Sequence, residues 1–416
     1  MDFPPFYCVR QRFDAVNDPD VAGTVRRLFA EADFDNRIKP GQTAAVAVGS
    51  RGTHDLRNLV SAVLGCLKDR GLRPYILPAM GSHGGATGEG QARILDELGI
   101  SEDTMEVPVV SSMEVVSLGR LASGAHVLFS KDALKADHIV VLNRVKPHTA
   151  FRGEVESGIC KILAVGCGKQ LGASNMHKFD LARTIVPAAR MILEKAPVLC
   201  GLAVTETPSG GTHSIRLAKP EAFVETDREL LEEAWTLFPR IPVDDLDILV
   251  VDEMGKNISG AGMDPNVVGF WRRQGGPREP DYRILVVLDL TPESHGNATG
   301  IGMADLTTER MMDKVDLRAT RMNALTSHIL RSAQLPIPLK NDRQALETAL
   351  EQVPGPETVR MIRIRNTQSL ETFWASKALV PELKSQGRLD MDERPVSLDF
   401  DPAGRILPMG DRVENA

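Results

Sequence analysis

Residue types able to do chemistry gather in five polar segments, each just after an apolar run. In GSRGTHDLR, Arg51 and Thr53 precede a helix pattern with Asp55 in its first turn. Free N–H groups at a helix start and a bidentate guanidinium suit a phosphate or carboxylate; the plain alternative is a helix cap beside a solvated arginine. MGSHGGATGEG sets His83 among glycines that let backbone approach a ligand, and no GK[ST] follows, so it is not a P-loop. NRVKPHTAFRGEVESG packs Arg144, Lys146, His148, Arg152, Glu154 and Glu156 into one loop, with Pro147 restricting the backbone before the histidine. In SGICKILAVGCGKQLGASNMHKF, Lys161 lies among Ile159, Ile162 and Leu163. Desolvated there it would lose its charge and become a nucleophile; otherwise it is a lysine snorkelling from a helix. DEMGKNISGAGMDPN offers Glu253, Lys256 and Asn257 beside further glycines, or is an ordinary glycine-rich turn.

The elements that must position these groups follow from periodicity. TAAVAVG, RPYILPA, HVLFS and HIVVLNR read as strands. In LRNLVSAVLGCLKDRG, Leu56, Val60, Val63, Leu64 and Leu67 share one helical face, and ARILDELG is a second helix. Strand–helix–strand alternation predicts an α/β chain with mainly parallel sheets, where ligands bind beyond the carboxyl ends of the strands. The alternation restarts with DILVVDE, RILVVLDL and VRMIRIRNT as strands, SLETFWASKALV as a helix and VSLDFD as a last strand. A length of 416 residues agrees with more than one domain. The division is placed at 1–225 and 226–416, with the charged helix pattern ETDRELLEEAWTLF as connector, the active site in the cleft between two α/β domains, and the last residues free to return to the first.

Composition removes several classes. Cys8, Cys66, Cys160, Cys167 and Cys200 are odd in number and form no CxxC, which argues against a disulfide framework or a zinc knot and for small buried hydrophobes. No apolar run is long enough for a membrane helix, and the start has no signal-peptide pattern, so the expected location is cytoplasmic. A net charge of −7 without a basic block gives no nucleic-acid surface. His54, His126, His138, His213 and His328 are taken as structural. His83, His148 and His177 with the nearby cysteines are compatible with a metal centre, but no pair has local ligand spacing.

Arg51, His83, His148, Lys161 and His177 together resemble the nickel-dependent lactate racemase family and its 2-hydroxyacid racemase and epimerase relatives, as a divergent subgroup. SGICK is similar to the family's S-G-x-x-K segment, and G-S-H at His83 to its G-[ST]-H form. The resemblance implies two α/β domains and an isomerase that passes hydride to a nickel-pincer nucleotide. It implies that Lys161 carries this cofactor covalently, that His177 ligates nickel, and that His83 and His148 are the acid/base pair. Arg51 would touch phosphate and substrate, with Thr53, Gly84, Gly85 and Lys169 as cofactor contacts. GKNIS resembles the family's P-K-D-I-N turn, which makes Lys256 a substrate contact and Asn257 a cofactor contact. Partners implied are a small 2-hydroxyacid or sugar acid and the proteins that build the cofactor. Two features depart from the lactate enzymes: a longer stretch between His148 and Lys161, and Gly262 and Pro265 where the family has Gln and Lys. The second departure argues against lactate itself, and the polar loop from Lys146 to Glu156 suggests a larger, more hydroxylated or more charged substrate. Two further classes use the same residues: a metal-dependent lyase or dehydratase of sugar acids with no nucleotide, and a metabolite-binding protein without turnover.

Overall fold

Strands Thr43–Val48, His138–Arg144 and Val198–Glu206 carry nearly unbroken apolar runs because both faces of their sheet are buried. The computed structural model describes residues 3–34, 37–50, 53–353, 355 and 357–408. The chain divides into two compact units, Ala15–Phe238 and Met1–Asp14 with Pro239–Ala416. Both are α/β, and their main sheets are largely parallel.

In the unit Ala15–Phe238 the sheet order is Arg73–Pro78, Thr43–Val48, His138–Arg144, Val198–Glu206, Thr212–Ala218. The first four strands are parallel and the last is antiparallel. Alternate side chains fill two cores. Ala45, Ala47, Ile139 and Val141 face helices Leu181–Lys195 and Phe223–Leu237, while Ala44, Val46, Val48, Val140 and Leu142 face helices Val21–Glu31 and Leu56–Asp69. His126–Ser130 is a strand, as the sequence suggests, but pairs with Val115–Arg120 in a separate ribbon.

The charged helix Phe223–Leu237 is part of this unit rather than a connector. Phe223, Leu230 and Leu231 are buried in its core. Asp227, 0% exposed, accepts the N–H groups of Ile159 and Cys160 at 2.9 and 2.7 Å. Gly158, at φ +84, leaves room for that carboxylate, since a Cβ there would fall 2.1 Å from Asp227 Oδ1. Burial raises the Asp227 carboxyl to about 7 against the pull of those bonds. Asp227→Ala strands two buried N–H groups and is expected to cost about 3 kcal/mol. Asp227→Asn, which keeps an acceptor, should cost less; urea unfolding of both variants measures the difference.

The second unit holds an eight-stranded sheet in the order Ile337–Leu339, Leu306–Thr308, Asp281–Leu290, Asp245–Met254, Met361–Asn366, Ser369–Ser376, Phe6–Gln11, Leu389–Met391. Pairing is parallel up to Met361–Asn366 and antiparallel beyond. Three expectations are corrected here. Phe6–Gln11, placed by sequence in the first domain, pairs with Ser369–Ser376 and Leu389–Met391. Segment 369–376 is a strand, not a helix: Asn366 Oδ1 accepts the N–H of Gln368 and Ser369, turning the chain back as a hairpin. VSLDFD forms isolated bridges at Val396 and Phe400 rather than a strand.

Candidate functional site

Three neighbouring parallel strands end on the same edge of the first unit's sheet, and each is followed by one of the polar segments. The turn after Thr43–Val48 brings Ser50 Oγ to 2.6 Å from His83 Nδ1. Arg51 lies outside the described residues. Thr53 is half-buried ahead of helix Leu56–Asp69, whose N-cap Asp55 makes no side-chain capping bond.

The turn after Arg73–Pro78 is pinned from several sides. Ala79 N–H donates to the Val48 carbonyl at 2.8 Å, and Gly81 N–H to the Gly166 carbonyl at 3.2 Å. Buried Gln91 donates to the Gly81 carbonyl at 2.8 Å. Gly84 at φ +65 packs so tightly on helix Gly88–Glu97 that a Cβ would lie 2.5 Å from Gly90; Gly85 at φ +64 has open space around it. His83 is exposed on this rigid turn, beside a pocket of about 370 Å³ lined by Ser50, Gly84, Ile94, Glu97 and Leu98. In the tautomer that leaves His83 Nε2 able to accept a proton, Nδ1–H donates to Ser50 Oγ.

The segment after His138–Arg144 holds His148 and leads to Lys161. Ser157 Oγ accepts from Lys146 N–H at 2.6 Å and donates to its carbonyl at 2.7 Å, closing the loop at its base. His148 is half-buried, its ring centroid 4.3 Å from that of Phe151, and its Nδ1 accepts the Ala150 N–H at 3.1 Å. Lys161 ends the short helix Gly158–Lys161, just before a π-helical turn Ile162–Gly166. Its Nζ lies 5.5 Å from the Phe151 ring centroid and donates to the Glu156 carbonyl at 3.3 Å. Burial, then the like charge of Lys146, pull the Lys161 amine down to about 7 against the opposing charge of Glu156. The environment of this amine is thus a desolvated one, as its apolar neighbours Ile159, Ile162 and Leu163 suggest.

The other residues singled out by sequence lie as follows. Lys169 is 0% exposed and, at φ +53, donates from Nζ to the Pro78 carbonyl at 2.6 Å, with burial pulling its amine down. His177 is exposed at the C-cap of helix Lys169–Met176. The neighbouring Asn175 donates to the His126 carbonyl at 2.7 Å. Lys256 and Asn257 belong to the second unit, where Lys256 Nζ donates to the Gly260 carbonyl at 2.6 Å and Asn257 Oδ1 accepts from Thr291 Oγ1 at 2.7 Å. All five cysteines are buried, and burial pushes the Cys66, Cys160, Cys167 and Cys200 thiols up, so they are poor thiolates. Among the described residues no three His, Cys, Asp or Glu side chains converge to hold a metal ion by themselves.

The structure thus ties Ser50 to His83 and gathers His148, Phe151, Glu156 and Lys161, all at one edge of one sheet. Ser50 and Phe151 were not singled out by sequence, and the buried Glu156 was named only as one of six ionisable residues in its loop, with no role of its own. Glu156 had one available signal, a carboxylate between Val155 and the SGICK segment in a run that turns apolar.

Residues 14–177 match the family model described as the lactate racemase N-terminal domain. No curated protein matches the chain. Among solved structures, the lactate racemase apoprotein from Thermoanaerobacterium thermosaccharolyticum aligns with a TM-score of 0.54 at 14% identity, over 88% of this chain and 99% of that one. At that identity the likeness speaks for the fold.

Proposed function

We propose that this chain, which is lactate racemase-like and matches the lactate racemase N-terminal domain model over residues 14–177, is a racemase or epimerase of a 2-hydroxyacid. The observation that carries this reading is Lys161, an amine held near neutrality in the S-G-x-x-K segment and seated beside the His148 loop. An unprotonated amine is what acyl transfer onto lysine nitrogen requires.

The donor set fits a covalently held nickel-pincer nucleotide. It supplies the Lys161 amine, the exposed His177 and, among the described residues, no trio of side chains that would hold a metal unaided. Lys161 would hold the group and His177 would ligate its nickel, with Thr53, Gly84 and Gly85 on the turns around it. Lys169 would act from beneath by fixing the Pro78 carbonyl at the strand end. When bound, such a group supplies a hydride acceptor, so the C–H bond at the hydroxyl-bearing carbon breaks without forming a carbanion.

The chain's own residues then manage the proton. A 2-hydroxyacid loses its hydroxyl proton as it becomes a 2-keto acid, and regains one when the hydrogen returns to the other face. In this reading His83, held by Ser50, and His148, backed by Phe151, take and give it.

The test is the intact mass and nickel content of the chain made together with the cofactor-building proteins, followed by chiral analysis of polar 2-hydroxyacids and aldonates. A covalent adduct on Lys161, about one nickel per chain and inversion without change of substrate mass are expected. An unmodified mass without nickel overturns the reading.

A further inference from the structure

The stretch between His148 and Lys161 is folded around one carboxylate. Glu156 is 2% exposed. Its Oε2 accepts the His148 N–H at 2.7 Å and its Oε1 the Gly153 N–H at 3.2 Å. The Arg152 guanidinium stands 3.7 Å from Oε2 and donates to the His148 carbonyl at 2.9 Å. The backbone carbonyl of the same Glu156 accepts from Lys161 Nζ. One residue therefore touches both His148 and Lys161.

A buried carboxylate is a costly way to close a loop that a neutral acceptor could also close. Here the charge has a use. Lys146 and Glu156 are the charged groups that act on the Lys161 amine, with opposite signs, while the Phe151 ring faces it without charge. Glu156 itself is faced by the His148 and Gly153 N–H groups, Arg152 and Lys161, which oppose the effect of its burial.

We propose that Glu156 is a positioning residue for both groups: its carboxylate fixes the backbone that carries His148, and its charge and carbonyl hold the Lys161 amine. The proposal rests on the roles given above to His148 and Lys161, but it is tested on the full-length apoprotein, without cofactor or turnover. The probe is acetic anhydride, with acetylation of Lys161 followed by peptide mass spectrometry as a function of pH. Amide hydrogen exchange across 148–153 is read on the same samples.

E156Q is expected to lower the Lys161 midpoint by about one pH unit, because a neighbouring negative charge is lost. It should also speed exchange at His148 and Gly153 about tenfold or more. A folded E156Q whose Lys161 midpoint stays in place overturns the proposal, since a merely structural role would leave that midpoint unmoved. Should E156Q fail to fold, E156D carries the test: it keeps the charge but shortens the reach. A retained midpoint with faster exchange at His148 then supports the proposal, and unchanged exchange overturns it. A Lys161 that titrates like an ordinary lysine in the unaltered chain is a different failure, one that removes the reading of Lys161 itself.

Discussion

Lys161→Ala, made alongside the cofactor-building proteins, is expected to keep the bare mass of its sequence while the unaltered chain gains a covalent adduct. The alanine chain should fold, because Lys161 is the last residue of a short helix whose N-terminal N–H groups are held by Asp227 and not by the lysine. Lys161→Arg should also fail to carry the adduct, since a guanidinium stays protonated and is no nucleophile. A full adduct in either variant would sink the attachment. The same lysine makes a prediction without any cofactor. Its amine titrates at about 7 when folded and at 10.5 ordinarily. Between these values the unfolded chain binds more protons, so this group makes apoprotein stability rise with pH across that window, and below it the buried ammonium destabilises in full. Lys161→Met, which cannot titrate, should be more stable than the unaltered chain at neutral pH and lose that advantage as the pH approaches 10.5. Urea unfolding at neutral and alkaline pH reads the difference.

His83→Ala and His148→Ala should each lower inversion of the 2-hydroxyacid by about 10² or more, mainly in kcat. Lys161 Nζ donates to the Glu156 carbonyl, a contact that His83→Ala leaves in place, so that variant should still acquire the adduct. This separates loss of proton transfer from loss of cofactor. Either variant with the adduct in place and unreduced inversion removes that histidine from the acid/base pair. His148→Ala carries a second expectation, because its ring packs on Phe151 beside the lysine. Truncation opens that side to water, so the Lys161 amine should move back toward its ordinary value as desolvation weakens.

Much of this edge of the first sheet can be read from sequence for one reason: its strands are buried on both faces, so they stand out as apolar runs and their ends mark the loops that matter. Lys161 is legible because its neighbours Ile159, Ile162 and Leu163 announce a dry environment. What fails is what depends on distant partners. Segment 369–376 carries Leu370 and Phe373 at helical spacing and becomes a strand because Phe6–Arg10, far away in the chain, pairs with residues 372–376, and Met361–Asn366 pairs on its other side. Thr372, Phe373 and Trp374 were the local hint in its favour. Phe6–Gln11 itself gives no sign of leaving its neighbours for the other unit. Asp227 and Glu156 are polar residues whose meaning lies in backbone N–H groups, and backbone donors leave no trace in residue type. The Ser50 hydroxyl falls beside His83 only because their two strands are neighbours in the sheet.

The Ala150 N–H that points at His148 Nδ1 has a kinetic consequence. A backbone N–H can only donate, so the neutral ring carries its proton on Nε2 and rests as a proton donor. With His83 in the tautomer that frees its Nε2 to accept, the two histidines are unlike at rest, one able to begin by accepting and the other by giving. One enantiomer meets a prepared pair, and for the other His148 must first part with its Nε2 proton. Mirror-image substrates have equal free energies, so a racemase obeys the Haldane condition and its kcat/KM is the same in both directions. The asymmetry has no outlet except in kcat and KM separately, both rising together for one hand of the substrate. A progress curve started from each pure enantiomer should therefore curve differently at saturation and coincide at low concentration.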